Sequence, residues 1–281
     1  MRTPRMAVVA AVAAAVTALV IAAGAVALVR SVPPPPANPT SADQIQNIDQ
    51  VKTAIKAYYG DTVTTQVDPV PNTVDGGDKT LHQYSPGSAY ASELAGIVQD
   101  AEKYLEKAPQ GKDKKDPGTK AVIFDIDDTT LNTYSYEIYS NFVYSPTTNA
   151  YFVNACLTTG CVFPAVPGMV ELEHFAEAQG YTVFFLTGRG IGQHDGTLAN
   201  LTSAGYDVSD ANLYLKDTSA PWLASCGGAS CTTTQYKTAT RQHIESLGYN
   251  IVANFGDQFS DLNGGFADRT FKIPNPTYFI P

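Results

Sequence analysis

The chain has 281 residues, of which 44% are hydrophobic, enough for one or two domains with a substantial core. Its formal net charge is −9 and its pI is near 4.8, so no basic surface is available and nucleic acid is excluded as a partner. Because the protein is acidic overall, an anion must be bound by a local positive centre. Four histidines are too few for a histidine-rich metal site.

The N-terminus has the pattern of an export signal. Residues 7–29 are apolar apart from one threonine and one glycine, and arginines flank them on both sides. This length is sufficient to span a bilayer, so residues 1–30 are predicted to be a signal peptide or a membrane anchor. We expect a secreted or extracytoplasmic membrane-anchored protein, with residues 7–29 as the membrane tether if the leader is retained.

A proline-rich stretch separates this leader from the folded part. Residues 31–40 contain five prolines and are predicted to form a stiff linker. The predicted domain, 41–281, starts with two amphipathic helices within residues 41–110. Apolar residues at helical spacing indicate these helices, the first with Ser41 as its N-cap and the second from about 88 to 107. The segment between them, 60–87, is predicted to be a loop.

Strands and helices alternate from residue 121 onward. Apolar runs predict strands at 121–124, 181–186, 212–215, 250–255 and, at the edge, 270–273. Helices are predicted between them at 169–178, 197–204 and 235–247. Such alternation gives right-handed crossovers and a parallel sheet, so we expect an α/β, Rossmann-like fold with helices on both faces.

Two acidic residues stand where the first of these strands ends. Asp125 and Asp127 are two positions apart, so on an extended chain their side chains point to the same side. Buried carboxylates need a cation, a partner or solvent, and the carboxyl ends of parallel strands are where ligands bind. Converging carboxylate oxygens suit Mg²⁺. A simple acidic turn after a strand is the alternative.

Polar residues also follow two later strands and begin one helix. Thr187 and Gly188 come after the second strand, where a hydroxyl and a glycine that permits close backbone approach suit an anion. Asp257 and Asp261 come after the fourth strand and share a face if the chain is helical there. Lys237 lies in the helix between those strands. Each feature alone is weak evidence, because strand-to-loop turns and solvated lysines are common.

Taken in order, these segments resemble the haloacid dehalogenase (HAD) superfamily of phosphotransferases. Within this superfamily, the sequence most resembles the secreted acid phosphatase branch, which includes plant vegetative storage proteins and bacterial class B-like enzymes. It covers about residues 85–275. The segments that carry it are Phe124-Asp125-Ile126-Asp127-Asp128-Thr129-Thr130-Leu131, Thr187-Gly188-Arg189, Tyr236-Lys237 and Gly256-Asp257-Gln258-Phe259-Ser260-Asp261-Leu262.

The resemblance implies catalytic and substrate-binding roles. Asp125 would be the nucleophile that forms an aspartyl-phosphate, and Asp127 would be the general acid and base. Lys237 would neutralise the charge that develops on the phosphoryl group, and Thr187 with the Gly188 amide would hold a phosphoryl oxygen.

It also implies a metal site and a cap. Mg²⁺ would be held by Asp125, the backbone carbonyl of Asp127 and Asp257, with Asp261 as a ligand or as a partner of a ligand. The aromatic insert at about 133–165 lies where this superfamily places a cap, which covers the site and selects the substrate.

These roles imply an exported, Mg²⁺-dependent acid phosphatase that hydrolyses small-molecule phosphate monoesters. Three alternatives remain: a nucleotide-specific phosphatase (5′-nucleotidase-like), a phosphotransferase to alcohols, and a non-catalytic storage or binding protein on the same fold. Storage members of the family lack the nucleophilic aspartate, and the presence of Asp125 favours the enzyme.

Other notable side chains have simpler interpretations. We expect Asp128 to organise the loop through hydrogen bonds to the backbone, with direct metal binding as the alternative. Arg189 and Arg241 are expected to pair with surface acids, with substrate contact as the alternative. Trp222 is expected to serve packing, and His243 to be an ordinary surface residue.

Four cysteines in an exported chain indicate two disulfides. They form two close pairs, Cys156 with Cys161 and Cys226 with Cys231, each enclosing a turn rich in small residues. Two local bridges are the favoured pairing, although three connectivities exist. A four-thiolate zinc site is the alternative.

Overall fold

The computed structural model describes residues 47–74, 79–108 and 119–280. The predicted leader, the proline-rich linker and Ser41 lie outside the described residues, so the leader and the linker stay untested. The prediction that Ser41 is the N-cap of the first helix is wrong, because Asn47 caps that helix. In the described ranges, every helix is too short or too polar to cross a membrane.

The N-terminal part contains the two expected helices. The first begins at Asn47, whose side chain accepts a hydrogen bond from the Gln50 backbone N–H in a capping box, and the second begins at Ser88, as predicted. The intervening loop also contains one small antiparallel strand pair, which is too short for a period-two pattern to reveal. The elements are α1 Ile48–Tyr59, β1 Thr62–Val63, β2 His82–Gln83 and α2 Ala89–Lys107.

A five-stranded parallel sheet forms the centre of the fold. Its order is β5-β4-β3-β6-β7, so the strand that carries the first acidic motif is central and the last strand is at an edge. The predicted α/β sheet is confirmed, with β4 longer than expected. The strands are β3 Thr119–Phe124, β4 Thr182–Gly190, β5 Leu213–Lys216, β6 Tyr249–Gly256 and β7 Arg269–Lys272.

Helices connect these strands, and the insert after β3 is itself partly helical. Three helices lie where the periodicity predicts them, and α5 has the predicted bounds. The role of the insert 133–165 as a cap stays a prediction. The helices are α3 Tyr134–Tyr139, α4 Pro146–Val153, α5 Met169–Ala178, α6 His194–Ala204, α7 Thr233–Ser246 and α8 Phe259–Leu262.

The sheet is covered on both faces, because alternate residues of β3 enter two different apolar clusters. Val122 and Phe124 belong to a cluster shared with α2 and α5, whereas Ile123 belongs to a cluster shared with α7. The ring of Phe124 stacks on Phe255 of β6 at a centroid distance of 4.6 Å. Each fully buried side chain of this size contributes about 1.5–3 kcal/mol. This packing fixes the strand ends on which the polar residues stand.

Both predicted local disulfides are present, between Cys156 and Cys161 and between Cys226 and Cys231. No free cysteine occurs in the part of the chain that the structure describes. The zinc alternative is therefore wrong, because every thiolate it requires is bonded to another sulfur.

Candidate active site

The ends of two neighbouring strands bring three aspartates together. Asp125 follows β3, Asp257 follows β6, and Asp261 lies in α8 just beyond. One carboxylate oxygen from each lies within 4.8 Å of those from the other two, and all three residues are buried. Strand order thus brings together acids that are more than a hundred residues apart in sequence.

Gly256 allows the Asp261 side chain to lie close to the end of β6. A Cβ atom on Gly256 would lie 2.5 Å from the Cβ of Asp261, closer than two carbon atoms can pack. The turn is closed by the Gln258 backbone N–H, which donates to Asp261 Oδ2 at 2.8 Å. A side chain at position 256 would therefore displace Asp261 from the group.

Lys237 supplies a cation to this acidic group. It lies near the start of α7 and is only 3% exposed. Its Nζ donates to Asp125 Oδ1 and, at 2.6 Å, to Asp261 Oδ1. A buried ammonium is tolerable only with such partners. Lys237 therefore lies beside the acidic residues, as the sequence predicted.

Burial and mutual repulsion change the acidity of these groups. Burial, followed by the charge of Asp261, raises the pKa of Asp125 well above its usual value, and Lys237 opposes that rise. Burial raises the pKa of Asp257 to about 7, with Asp261 and Asp128 adding to the effect. Burial alone would lower the pKa of Lys237, but its carboxylate partners outweigh burial and raise it.

This balance of charge fits a divalent cation. When ionised, the three carboxylates outnumber the single ammonium, and hard oxygen donors are the ligands preferred by cations such as Mg²⁺. A divalent ion would remove the repulsion that now keeps the carboxyl groups weakly acidic. The donor set can therefore hold a divalent metal.

Asp127 is held by a different cation, Arg189. The guanidinium donates from Nε to Asp127 Oδ2 at 3.0 Å and from Nη2 to Oδ1 at 2.6 Å. Its third nitrogen, Nη1, donates to Thr197 Oγ1 at 3.0 Å. The expectation that Arg189 pairs with a surface acid is wrong, because it is buried and its partner is the second motif aspartate. Two-point pairing fixes the carboxylate plane of Asp127.

Thr187 and Gly188 lie at the same end of the sheet, within β4. The Thr187 hydroxyl accepts a hydrogen bond from the Arg189 backbone N–H at 3.1 Å. Both residues line the cavity into which Asp125, Asp127 and Lys237 open. Their predicted contact with a phosphoryl oxygen is compatible with that position and stays a prediction.

Asp128 organises the motif loop, as expected. It adopts a left-handed conformation with φ of 55°, and its N–H donates to the Leu131 carbonyl at 2.7 Å. Its carboxylate accepts hydrogen bonds from the backbone N–H of Thr133, at 3.0 Å, and from the Thr133 hydroxyl. These bonds turn the loop back on itself directly after β3. They therefore set the direction in which the Asp127 side chain projects from the loop.

The family model for HAD superfamily subfamily IIIB, acid phosphatase, matches residues 42–281. The chain belongs to this family. The match covers the described sheet and the residues assembled above, and it agrees with the resemblance seen in the motif segments.

Plant proteins are among the relatives of this acid phosphatase. It is 33% identical to a stem 28 kDa glycoprotein of Glycine max over 70% of this chain and 72% of the relative. It is 30% identical to acid phosphatase 1 of Solanum lycopersicum, over 71% and 73% of the two chains. It is also 33% identical to vegetative storage protein 2 of Arabidopsis thaliana, over 57% and 56%.

The acid phosphatase site opens into a cavity of about 460 Å³. Its floor is the charged group, and its upper walls come from the insert after β3 and from the residues after β7. Aromatic and apolar side chains from these two walls are Tyr136, Phe142, Tyr144, Tyr278, Phe279 and Ile280. Charged side chains and aromatic or apolar side chains therefore line the same cavity.

Arg241 binds the backbone of the loop that carries Asp261, a role that the sequence did not predict. It is fully buried, and its guanidinium donates to the backbone carbonyls of Asp261, at 2.6 Å, and Gly265, at 2.9 Å. The expectation of a surface ion pair is wrong, because carbonyl groups of the α8 loop satisfy this arginine. His243 is partly exposed, and its ring stacks on Trp222 at a centroid distance of 3.9 Å. The packing role expected of Trp222 agrees with this contact.

Proposed function

We propose that this acid phosphatase is an exported, Mg²⁺-dependent phosphomonoesterase that acts through a phosphorylated Asp125. The observation that carries the proposal is the pairing of Asp125 with Lys237 inside a buried group of three aspartates. A lone buried ion pair could be structural, but this one faces a cavity that Asp127 and Thr187 also line.

The charges of the site address the main obstacle to the reaction. A carboxylate that approaches a phosphate dianion is repelled, by roughly 4 kcal/mol for two unit charges about 4 Å apart at an effective dielectric of about 20. Lys237 offsets this repulsion because its ammonium contacts the nucleophile itself. Fixed charges that act in a buried site need no reorganisation as the reaction proceeds.

In the first step, an oxygen of Asp125 attacks phosphorus and the bond from phosphorus to the ester oxygen breaks. Asp127, which enters this step protonated, gives its proton to the departing oxygen, which leaves as an alcohol or phenol. Arg189 keeps the Asp127 carboxyl aimed at that oxygen by its two-point contact.

In the second step, Asp127 takes a proton from water as that water attacks phosphorus. The bond between phosphorus and Asp125 breaks, inorganic phosphate leaves, and both aspartates return to their starting states. The Thr187 hydroxyl and the Gly188 amide hold the phosphoryl oxygens while the group inverts.

Mg²⁺ would be held by Asp125, the Asp127 carbonyl, Asp257 and, as ligand or partner of a ligand, Asp261. When bound, it supplies positive charge that neutralises the phosphoryl oxygens and aligns them for attack.

Export is supported by two disulfides and by the apolar leader with its basic flanks. If the leader is cleaved, the enzyme is freely secreted. If the leader is retained, the enzyme is tethered on the outer side of a membrane through residues 7–29.

The nucleotide-specific alternative has its own support. Rings of Phe142 and Tyr144 line the cavity, and a nucleoside base can stack on such rings. The storage alternative is less supported, because Asp125 is present and paired with Lys237. Transfer of the phosphoryl group to alcohols would need only an alcohol in place of water in the second step.

The proposal is tested by replacing the nucleophile. We expect Asp125→Asn to abolish hydrolysis of p-nitrophenyl phosphate, and EDTA to suppress the unmodified protein until Mg²⁺ is restored. A panel of nucleotides, sugar phosphates and aryl phosphates would separate the broad enzyme from the nucleotidase. Robust turnover by Asp125→Asn would refute the nucleophile assignment.

A further inference from the structure

We propose that the residues after β7, 273–280, are a positioning element of the active site that holds the carboxylate of Asp257 for the metal through two side-chain amides. This C-terminal segment is residues 273–280 throughout. The inference rests on the proposed function, since it assigns Asp257 to the metal.

The segment starts beside β6, the strand that Asp257 follows. The Ile273 backbone N–H donates to the Gly256 carbonyl at 2.9 Å, one residue before Asp257. The chain then passes along the carboxyl edge of the sheet, where Tyr278 and Ile280 reach the wall of the active-site cavity. The segment is therefore in contact with the site at both of its ends.

The first amide belongs to Asn275, and its orientation is determined by its neighbours. Asn275 Oδ1 accepts hydrogen bonds from the Thr277 backbone N–H, at 2.8 Å, and from the Thr277 hydroxyl, at 2.6 Å. Of the two terminal atoms of an asparagine amide, only the oxygen can accept a hydrogen bond, so the amide nitrogen must point the other way. That nitrogen, Nδ2, donates to Asp257 Oδ2 at 2.7 Å.

The second amide belongs to Gln258, which the segment also holds. The Ile280 backbone N–H donates to Gln258 Oε1 at 2.9 Å, which again fixes the oxygen and nitrogen positions. Gln258 Nε2 then donates to Asp257 Oδ2 at 2.7 Å and makes a longer contact of 3.4 Å to the Tyr278 carbonyl.

Both amides thus reach the same oxygen of Asp257. Oδ2 accepts two short hydrogen bonds, whereas Oδ1 has a long one from Thr129 Oγ1 at 3.5 Å. The geometry leaves Oδ1 as the oxygen with the more available lone pairs, and we assign it to the metal. Partners of this kind, which orient a ligand without touching the ion, typically change metal affinity by about 10–100-fold.

The experiment compares Asn275→Ala with Asn212→Ala. Asn212 is a matched control because its Oδ1 also accepts a backbone N–H, that of Ser209 at 2.7 Å, in a turn before β5. Binding of Mg²⁺ to each metal-free protein is measured by titration calorimetry, and kcat and KM are measured over a range of Mg²⁺ concentrations.

We expect Asn275→Ala to lower Mg²⁺ affinity by about 10–100-fold, while excess Mg²⁺ restores most of kcat. Asn212→Ala should bind Mg²⁺ like the unmodified protein. If Asn275→Ala does not fold, Gln258→Met removes the second donor from outside the segment and should weaken Mg²⁺ binding in the same way.

The outcomes separate this inference from the proposed function. Unchanged Mg²⁺ affinity in a folded Asn275→Ala or Gln258→Met protein, alongside Mg²⁺-dependent turnover by the unmodified enzyme, would overturn the inference alone. Failure of the unmodified enzyme to bind Mg²⁺ would overturn both. Loss of turnover that excess Mg²⁺ does not restore, with affinity unchanged, would contradict a positioning role on the metal ligand.

Discussion

The centre of the active site and its rim are built in opposite ways. The centre stands on strand ends and on α7, and its charged groups are buried, with Asp125 6% and Lys237 3% exposed. The rim comes from the insert after β3 and from the C-terminal segment, where Tyr144 is 71% and Phe279 52% exposed. Buried charges interact strongly with a phosphoryl group, which all phosphate esters share. Exposed rings can contact the leaving group, which differs from one ester to another.

Asp127 lies at the boundary between these two regions. Its side chain is 31% exposed, against 4% for that of its partner Arg189. This position suits the proposed general acid and base, which would exchange protons with the leaving group and with water while Arg189 fixes its orientation from the buried side. Changes at the centre, the boundary and the rim should therefore have different consequences.

The largest effect is expected at the centre, from Lys237→Met. This change keeps an apolar stem but removes the ammonium that contacts Asp125 and Asp261. We expect kcat for p-nitrophenyl phosphate to fall by about 10²–10³-fold, as when one preorganised charge-stabilising donor is lost. Circular dichroism with Mg²⁺ present checks that the protein is folded. A folded variant with kcat within threefold of the unmodified enzyme would contradict the role of Lys237.

At the boundary, Arg189→Lys keeps the charge but loses the two-point contact with Asp127. A misaligned acid matters most when the leaving oxygen must be protonated. We therefore expect kcat/KM to fall by about 10²-fold for an alkyl phosphate and much less for p-nitrophenyl phosphate, since general acid catalysis contributes about 10²–10⁴-fold. Equal losses on the two substrates would indicate that Arg189 does not act through Asp127.

Glu137 of α3 is expected to make the boundary sensitive to pH. Burial, with the charges of Asp128 and Asp127 adding to it, raises the pKa of Glu137 to about 8. Below that pH the group is neutral, and above it the cavity gains a negative charge that repels a phosphate dianion. We expect kcat/KM to decline by about tenfold or less as pH rises through 8, and Glu137→Gln to remove that decline. An unchanged alkaline limb in the variant would assign the decline to another group.

The smallest effect is expected at the rim, from Tyr144→Ala. An exposed ring can be removed without a cavity in the core, so stability should be nearly unchanged. Loss of one aromatic contact of about 1 kcal/mol should raise KM for an aryl phosphate by about fivefold and leave a short alkyl phosphate unaffected. Tyr144→Phe serves as the control, because it keeps the ring. Identical KM values for all three proteins would exclude Tyr144 from the substrate contact.

The sequence predicted the centre far better than the boundary and the C-terminal segment. Asp125 and Asp257 each follow an apolar strand, and parallel strands end at a common edge, so local pattern and topology together bring them close. Arg189 meets Asp127 across 62 positions of sequence, and no local pattern selects that acid over one at the surface. The choice is made by packing, because burial of the arginine in β4 removes solvent as a partner.

Arg241 and Asn275 were missed for a related reason. Arg241 is satisfied by backbone carbonyls, and every residue offers a carbonyl, so sequence contains no sign of the pairing. Asn275 acts from a short segment after the last strand, where asparagine next to proline is typical of an ordinary turn.

The residue that carries the phosphoryl group during turnover can be identified directly. The enzyme would be quenched during turnover and treated with borohydride, which reduces an aspartyl-phosphate to homoserine, and the peptides would be examined by mass spectrometry. We predict homoserine at position 125, dependent on substrate and absent from Asp125→Asn. Homoserine at another aspartate, or none in an enzyme trapped at steady state with substrate bound, would contradict it.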